Sequence, residues 1–287
     1  MTLAAYHRPA TIEEALSCLD SDPVTIAAGC TDLLAATGSR ELTGNVLDIT
    51  GIKALRHVRK EAGDVLIGAA ATWSDVIAAD LPPSFDMLKQ AAREVGSVQI
   101  QNAGTVAGNI CNASPAADGM PCLLAMDAEV VTRSAAGGRV LALADFVTGP
   151  RRTALSAGEL VTAIRIPATA TGGRSRFLKL GARRYLVISI AMVAARLEIV
   201  DGRVIHPALS VGACGPVATR LATLEEALEG QPADARLAAR VTSDLVAPDL
   251  SPIADIRADA PYRLEAATEL LRRALTGLVA PEAEAAA

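Results

Sequence analysis

The sequence predicts an α+β protein of two parts. The first comprises a small α/β unit followed by a unit of mixed or antiparallel sheet; the second is a C-terminal domain of antiparallel strands and three helices. Three observations carry this. Strand-like and helical segments alternate through the first ~95 residues, as a small α/β unit requires. A Gly-, Asn- and Ala-rich stretch over Gly104–Gly119 then breaks that alternation. Beyond it, Asp201-Gly202 stands between two long apolar runs and marks a hairpin. A chain of 287 residues is long enough for two ordinary domains. The expected division is 1–170, with subdomains of about 1–95 and 96–170, then 175–280, with a disordered tail over 281–287.

Taken in order, Thr11-Ile12-Glu13-Glu14 has the form of a capping box and predicts a helix to about Leu19. Val24–Ala28, Asn45–Thr50 and Val65–Ala71 read as strands. Thr72-Trp73-Ser74-Asp75 predicts a second capped helix starting near Ser74. Phe85–Val95 places Leu88, Ala91, Ala92 and Val95 on one helical face, with Gly96 as a stop. Gly104–Gly119 shows neither period and reads as ordered but irregular chain, a common setting for function. Strands follow at Ala128–Arg133, Arg139–Leu143 and Glu159–Ile166. Pro167–Arg174 marks the domain boundary. Arg176–Leu180, Ser189–Val200 and Val204–Ala213 read as strands, and Ala222–Glu229, Ala233–Val246 and Ala260–Leu278 as helices.

Composition narrows the function. Aromatics are 2% of the chain and the net charge is −5. Both argue against binding nucleic acid through base stacking or the phosphate backbone. Cys18, Cys30, Cys111, Cys122 and Cys214 lack metal-ligand spacing, so they read as reduced thiols and no metal site is expected. The N-terminus has no signal-peptide pattern. The longest apolar run, Leu186–Ala195, is too short for a membrane span, and a cytoplasmic location is expected. His7, His57 and His206 have no partner spacing for metal or triad chemistry and read as surface or capping residues. Arg151-Arg152 reads as a solvated turn or a subunit contact.

Two loops are candidates for gripping a phosphate. Ala28-Gly29-Cys30-Thr31-Asp32 follows a strand and offers backbone N–H groups and a hydroxyl at a sheet's edge. Gly104-Thr105-Val106-Ala107-Gly108-Asn109 is built of small residues that let a ligand approach the main chain. Neither matches a Rossmann or P-loop pattern. Each taken alone also reads as an ordinary turn.

Together with Asn112–Asp118 the two loops are far more specific. Gln101–Asp118 (QNAGTVAGNICNASPAAD) resembles the RNxGTxGGNxxNASPxxD segment of the FAD-binding subunits of molybdenum hydroxylases, the xanthine dehydrogenase, carbon monoxide dehydrogenase and aldehyde oxidase group. AGCTDLL resembles that family's AGGTDLL loop, and Phe146–Pro167 its stretch before the second domain. The resemblance runs from Tyr6-His7-Arg8-Pro9 to the C-terminal helices.

The resemblance implies that FAD is held through its diphosphate by Ile26, Ala27, Ala28, Gly29, Cys30, Thr31, Asp32 and Leu33 and by Thr105, Val106, Ala107, Gly108 and Asn109. It adds Val95, Asp118, Val161 and Lys179 as further contacts. Arg183-Arg184-Tyr185 reads either as lying near the flavin ring, with Tyr185 covering one face, or as a surface basic pair beside a packed Tyr. Cys30 and Ala107 replace the family's commoner glycines; both are expected at negative φ with their N–H groups facing the diphosphate. Gln101 stands where Arg is commoner and Val187 where Asp is usual.

The implied role is an electron-transfer flavoprotein subunit with no catalytic acid or base of its own. A large molybdopterin subunit and a small subunit with two [2Fe–2S] clusters are the expected partners, in a dimer of heterotrimers. A self-contained FAD oxidoreductase and a scaffold that has lost FAD are the alternatives.

Overall fold

Three short parallel strands begin the fold. In the computed structural model, which describes residues 3–21, 23–36 and 42–279, β1 (Leu3–His7) leads into α1 (Ile12–Ser21). The Glu14 N–H donates to Thr11 Oγ1 at 3.2 Å, while the Glu14 carboxylate accepts from the Thr11 N–H at 3.4 Å and from the Ala10 N–H at 2.8 Å, so the capping box forms. β2 (Val24–Ala27) runs into the first candidate loop and α2 (Leu33–Ala36). β3 (Gly44–Asp48) lies between β1 and β2 and pairs with both. The expected tail at 281–287 lies outside the described residues.

β4 (Val58–Glu61) and β5 (Asp64–Gly68) form a hairpin that turns at Ala62 and Gly63, both at positive φ. Its edge strand went unread because Arg59, Lys60 and Glu61 are exposed and polar, as edge strands often are. α3 (Trp73–Ala78) carries the second predicted capping box, with Thr72 as its cap, and α4 (Asp86–Glu94) follows. Three short helices follow, α5 (Val98–Ala103), α6 (Val106–Asn112) and α7 (Gly119–Leu124); of the stretch read as irregular, Gly104–Gly119, residues 106–112 are thus helical while 113–118 are turns without regular structure. Each helix is too short to show a period, but Thr105 caps α6 through its hydroxyl and Ala113, at φ 46°, ends it.

β6 (Glu129–Ser134) and β7 (Gly137–Ala142) are followed by α8 (Leu143–Phe146) and a small hairpin of β8 (Val147–Gly149) and β9 (Arg152–Thr153). β10 (Leu160–Ile166) then enters between β5 and β6, giving an antiparallel sheet in the order β4-β5-β10-β6-β7. Ala163 stands opposite Gly68, so residues 58–68 belong to this second sheet rather than to the opening α/β unit where the alternation had placed them.

The C-terminal part is a sheet of β11 (Arg174–Leu180), β12 (Ala191–Val200), β13 (Arg203–Gly212) and β14 (Thr219–Arg220), all antiparallel. The β12–β13 hairpin turns at Asp201-Gly202 with φ of 50° and 71°, as a tight turn of this handedness needs. α9 (Ala222–Leu228) and α11 (Ala260–Val279) match their predicted ranges. The helix read over Ala233–Val246 is not continuous: it resolves into a 3-10 turn at Leu237–Arg240 and α10 (Ser243–Val246), separated by extended backbone at Val241 and Thr242.

β12 is buried on both faces. Ala191, Val193, Ala195 and Leu197 pack with Leu224, Leu271 and Leu275 of the helical layer. Met192 and Ala194 point the other way and belong to the core of the first part, the cluster that also holds Phe85 and Trp73. Burial on both sides explains an apolar run without alternation. Polar ties reinforce the join: Ser210 Oγ donates to the Pro121 carbonyl at 2.5 Å, and the buried Arg196 donates through Nε to the Ala125 carbonyl at 3.2 Å. Among the described residues no helix is long and apolar enough to cross a membrane.

Glu159 precedes β10 and takes two bonds of 2.6 Å from Arg139 of β7, which hold its carboxyl down from 4.5 to about 2. A depressed carboxylate contributes stability above its unfolded pKa and loses it as the pH falls. Between pH 4.5 and 2, therefore, the wild type is expected to lose stability more steeply than Glu159→Gln. Equal slopes in denaturant titrations across that window would contradict this.

Candidate cofactor site

The two candidate loops come together as the floor of one cavity of about 770 Å³, within the range of small-molecule sites. Their approach is closer than side chains permit. A Cβ on Gly29 would lie 2.0 Å from the Ala103 carbonyl oxygen and 2.7 Å from Gly104 Cα. Gly104 has Thr31 Oγ1 and the Trp73 ring on its own vacant side. Trp73, fully buried, donates its backbone N–H to the Gly104 carbonyl at 3.1 Å, and its ring also touches Gly119. The capped start of α3 thus serves as the common support of both loops.

In the first loop the negative φ expected of Cys30 is overturned: its φ is 55°. The left-handed turn is held because the Cys30 carbonyl accepts from the Leu34 N–H at 3.2 Å and its Sγ points to the Ala28 carbonyl at 3.5 Å. Burial pushes the thiol up, and the nearby Asp48 carboxylate adds to the effect, so it stays protonated and acts as an apolar filler. Asp48 itself is fixed by Tyr6 Oη at 2.5 Å, Thr50 Oγ1 at 2.6 Å and Arg8 at 3.2 Å. Its carboxyl is lowered: desolvation raises it, but the hydrogen bonds from Thr50 and Tyr6 together outweigh that.

In the second loop the helical first turn divides its donors. The Val106 N–H goes to the Ala71 carbonyl, that of Gly108 to Thr105 Oγ1 and that of Asn109 to the Thr105 carbonyl. Ala107 sits at negative φ within α6 and lines the cavity. Asn109 Oδ1 is buried at the cavity wall with no hydrogen-bond partner among the described residues. An orphaned buried acceptor costs stability unless a donor from a ligand or an ordered water meets it.

Of the residues expected from sequence, Ile26, Ala28, Gly29, Cys30, Thr31, Asp32, Leu33, Val95, Thr105, Ala107, Gly108, Asn109, Asp118 and Val161 line this cavity. Ala27 and Val106 turn their side chains into the core. Lys179 stands behind the wall: its Nζ donates to Asp118 Oδ2 at 2.8 Å, while Ser189 Oγ donates to Asp118 Oδ1 at 2.7 Å. Burial pushes the Asp118 carboxyl up, and Lys179 and Ser189 oppose that shift. This buried pair ties β11 to the segment after the second loop. Tyr185 is exposed outside the lining, with the Arg184 guanidinium 5.1 Å above its ring. Gln101 also lies outside the lining and donates to the Arg93 carbonyl at 3.0 Å.

Sequence reasoning missed Trp73, Asn112, Leu186, Ile188 and Arg151 as parts of the site. Arg151 is exposed in the β8–β9 turn, as the sequence reading expects, and adopts φ 59°; its guanidinium also bonds the Asn112 side chain and borders the cavity. The left-handed turn is not visible in Pro150-Arg151-Arg152. Trp73, the chain's single tryptophan in an aromatic-poor sequence, was a usable signal.

Residues 2–169 match the family described as the FAD binding domain in molybdopterin dehydrogenase, and 176–278 the CO dehydrogenase flavoprotein C-terminal domain. The nicotinate dehydrogenase FAD-subunit of Eubacterium barkeri is 35% identical over 79% of this chain and 80% of its own. The glyceraldehyde dehydrogenase medium chain of Sulfolobus acidocaldarius is 29% identical over 94% and 96%. A chain in the crystal structure of a cyanide-inactivated Cu,Mo-CO dehydrogenase superposes with a TM-score of 0.88 at 28% identity, covering 97% of this chain and 99% of that one.

Two outcomes follow from this geometry. Cys30→Gly relieves a left-handed residue worth about 1 kcal/mol and is expected to raise the melting temperature by about 2–4 °C; a lower melting temperature would contradict it. Lys179→Met leaves Asp118 buried without its cation, at a cost of about 3–5 kcal/mol. Adding Asp118→Asn should recover much of that loss in chemical denaturation, and a double variant less stable than the single one would refute the pairing.

Proposed function

This chain belongs to the family of FAD-binding domains of molybdopterin dehydrogenases, and we propose that it is the electron-transfer flavoprotein subunit of a heteromeric enzyme. In that reading a small partner with two [2Fe–2S] clusters hands over electrons, a large molybdopterin partner acts on the substrate, and an external acceptor takes the electrons from this chain. The names subunit and medium chain borne by its relatives support a multi-chain assembly, here a dimer of heterotrimers in the cytoplasm. The cofactor-binding part extends through about residue 170, and the C-terminal part begins at about 175, in line with the family matches.

The observation that carries the reading is the paired-loop cavity with its orphaned acceptor. Gly29, Gly104 and Gly108 keep side chains away from the backbone there, and the buried Asn109 Oδ1 awaits a donor. These residues fit FAD. The segments 26–33 and 105–109 would hold the diphosphate with backbone donors and the Thr31 and Thr105 hydroxyls. Ala107 offers the N–H of that first turn for which no acceptor stands among the described residues. Val95 and Val161 would give apolar contacts, and Asp118 with Lys179 behind it would fix the wall between the two parts.

FAD itself supplies the ability to take up and release electrons singly or in pairs. The chain's own task is to position the group and exclude water. Leu160, Val161, Leu186 and Ile188 surround the cavity with apolar surface. In this reading proton transfer at the substrate falls to the large partner.

FAD titration of the purified chain, followed by flavin absorbance and fluorescence, tests the reading. Saturable binding is expected, with Asn109→Ala weakening it about tenfold, roughly 1.4 kcal/mol, while leaving the FAD-free melting temperature within about 2 °C. Absence of saturable binding would sink the proposal. Turnover of a substrate by the isolated chain would instead favour a self-contained oxidoreductase.

A further inference from the structure

The segment 181–188 between β11 and β12 lines two cavities in succession, and only its last residues face the cofactor cavity. Leu186, Val187 and Ile188 line that cavity, whereas Gly181, Arg183 and Arg184 line a second one of about 460 Å³. Glu94, at the end of α4, borders both. Four cations, Arg93, Lys179, Arg183 and Arg184, face the second cavity against the single carboxylate of Glu94, a balance of 4 − 1 = +3. Asp118 neutralises Lys179 from behind, which leaves +2. A concave basic surface on a chain of net charge −5 is a local arrangement rather than a general excess of positive charge.

None of Arg93, Arg183 and Arg184 pairs with a carboxylate among the described residues, although most arginines of the chain do. Two of the three are held in place. Arg183 donates through Nε to the Tyr185 carbonyl at 3.0 Å and through Nη2 to the Leu186 carbonyl at 2.5 Å, so its Nη1 is left over. Arg184 is stacked on Tyr185. A guanidinium held in place offers its charge and its remaining N–H groups to the oxygens of a phosphate group.

We propose that this groove binds a phosphoryl-bearing anion through Arg93, Arg183 and Arg184. The segment it shares with the cofactor cavity makes its occupancy perceptible at the flavin. Leu186 is held at φ 51° by the same Arg183 that faces the groove, so a ligand drawing on that guanidinium pulls on a residue of the cavity wall.

The test is calorimetric titration of inorganic pyrophosphate into the FAD-saturated chain, with ionic strength held constant by sodium chloride. Saturable binding is expected, weakened at least tenfold in Arg93→Gln/Arg184→Gln, while the FAD affinity of that variant is unchanged. No saturable heat, or equal affinity in wild type and variant, would overturn the proposal. Adenosine diphosphate in place of pyrophosphate distinguishes a nucleotide site, where it binds more tightly, from one that reads the phosphates alone. Should the chain take up no FAD, pyrophosphate binding that Arg93→Gln/Arg184→Gln weakens and Asn109→Ala does not still supports the groove; the reverse pattern refutes it.

Discussion

At Gly29 the backbone of one loop meets that of another at a distance no side chain tolerates, with the Ala103 carbonyl 2.0 Å from where a Cβ would stand. That contact decides how the rest is arranged. It brings the end of a parallel strand from the first sheet against the helix that leads to α6, and it sets the width of the cleft between them. Beneath it the capped start of α3 presents Trp73, whose backbone takes the Gly104 carbonyl and whose ring fills the space under Gly119. The two loops are therefore fixed against each other by the chain's own contacts. A preorganised cradle spares binding the entropic cost of ordering it.

The C-terminal part completes this cradle. Its sheet is buried on both faces, one against its own helices and the other against the first core. Asp118 is the polar end of that join. It lines the cavity, and the ammonium that compensates it comes from β11. The same stretch of chain continues into the segment 181–188, whose first half lines the basic groove and whose last residues line the cofactor cavity.

Much of this was legible from sequence where local chemistry is explicit. Thr11-Ile12-Glu13-Glu14, Thr72 with Asp75, and Asp201-Gly202 each name their own geometry, and all three form as read. The QNAGTVAGN and AGCTDLL segments were legible because their resemblance to a family is dense. What escaped was set by tertiary packing. Residues 58–68 join the second sheet through a partner, β10, about a hundred positions later. The short helices of 98–124 are only six or seven residues each, too short to show a helical period. Cys30 adopts a left-handed conformation that its residue type disfavours, since the loop needs that turn and neighbouring hydrogen bonds hold it. The same reasoning covers Arg151, whose place in the wall depends on a backbone turn that its residue type does not announce.

The central claim is that the backbone of 26–33 and of 105–109 together grips one cofactor. Amide hydrogen exchange with and without FAD tests it most directly. Saturating FAD is expected to slow exchange in both segments together, while the turn at Asp201-Gly202, outside the cavity lining, is unchanged. Protection of only one segment, or of neither at saturation, would contradict it.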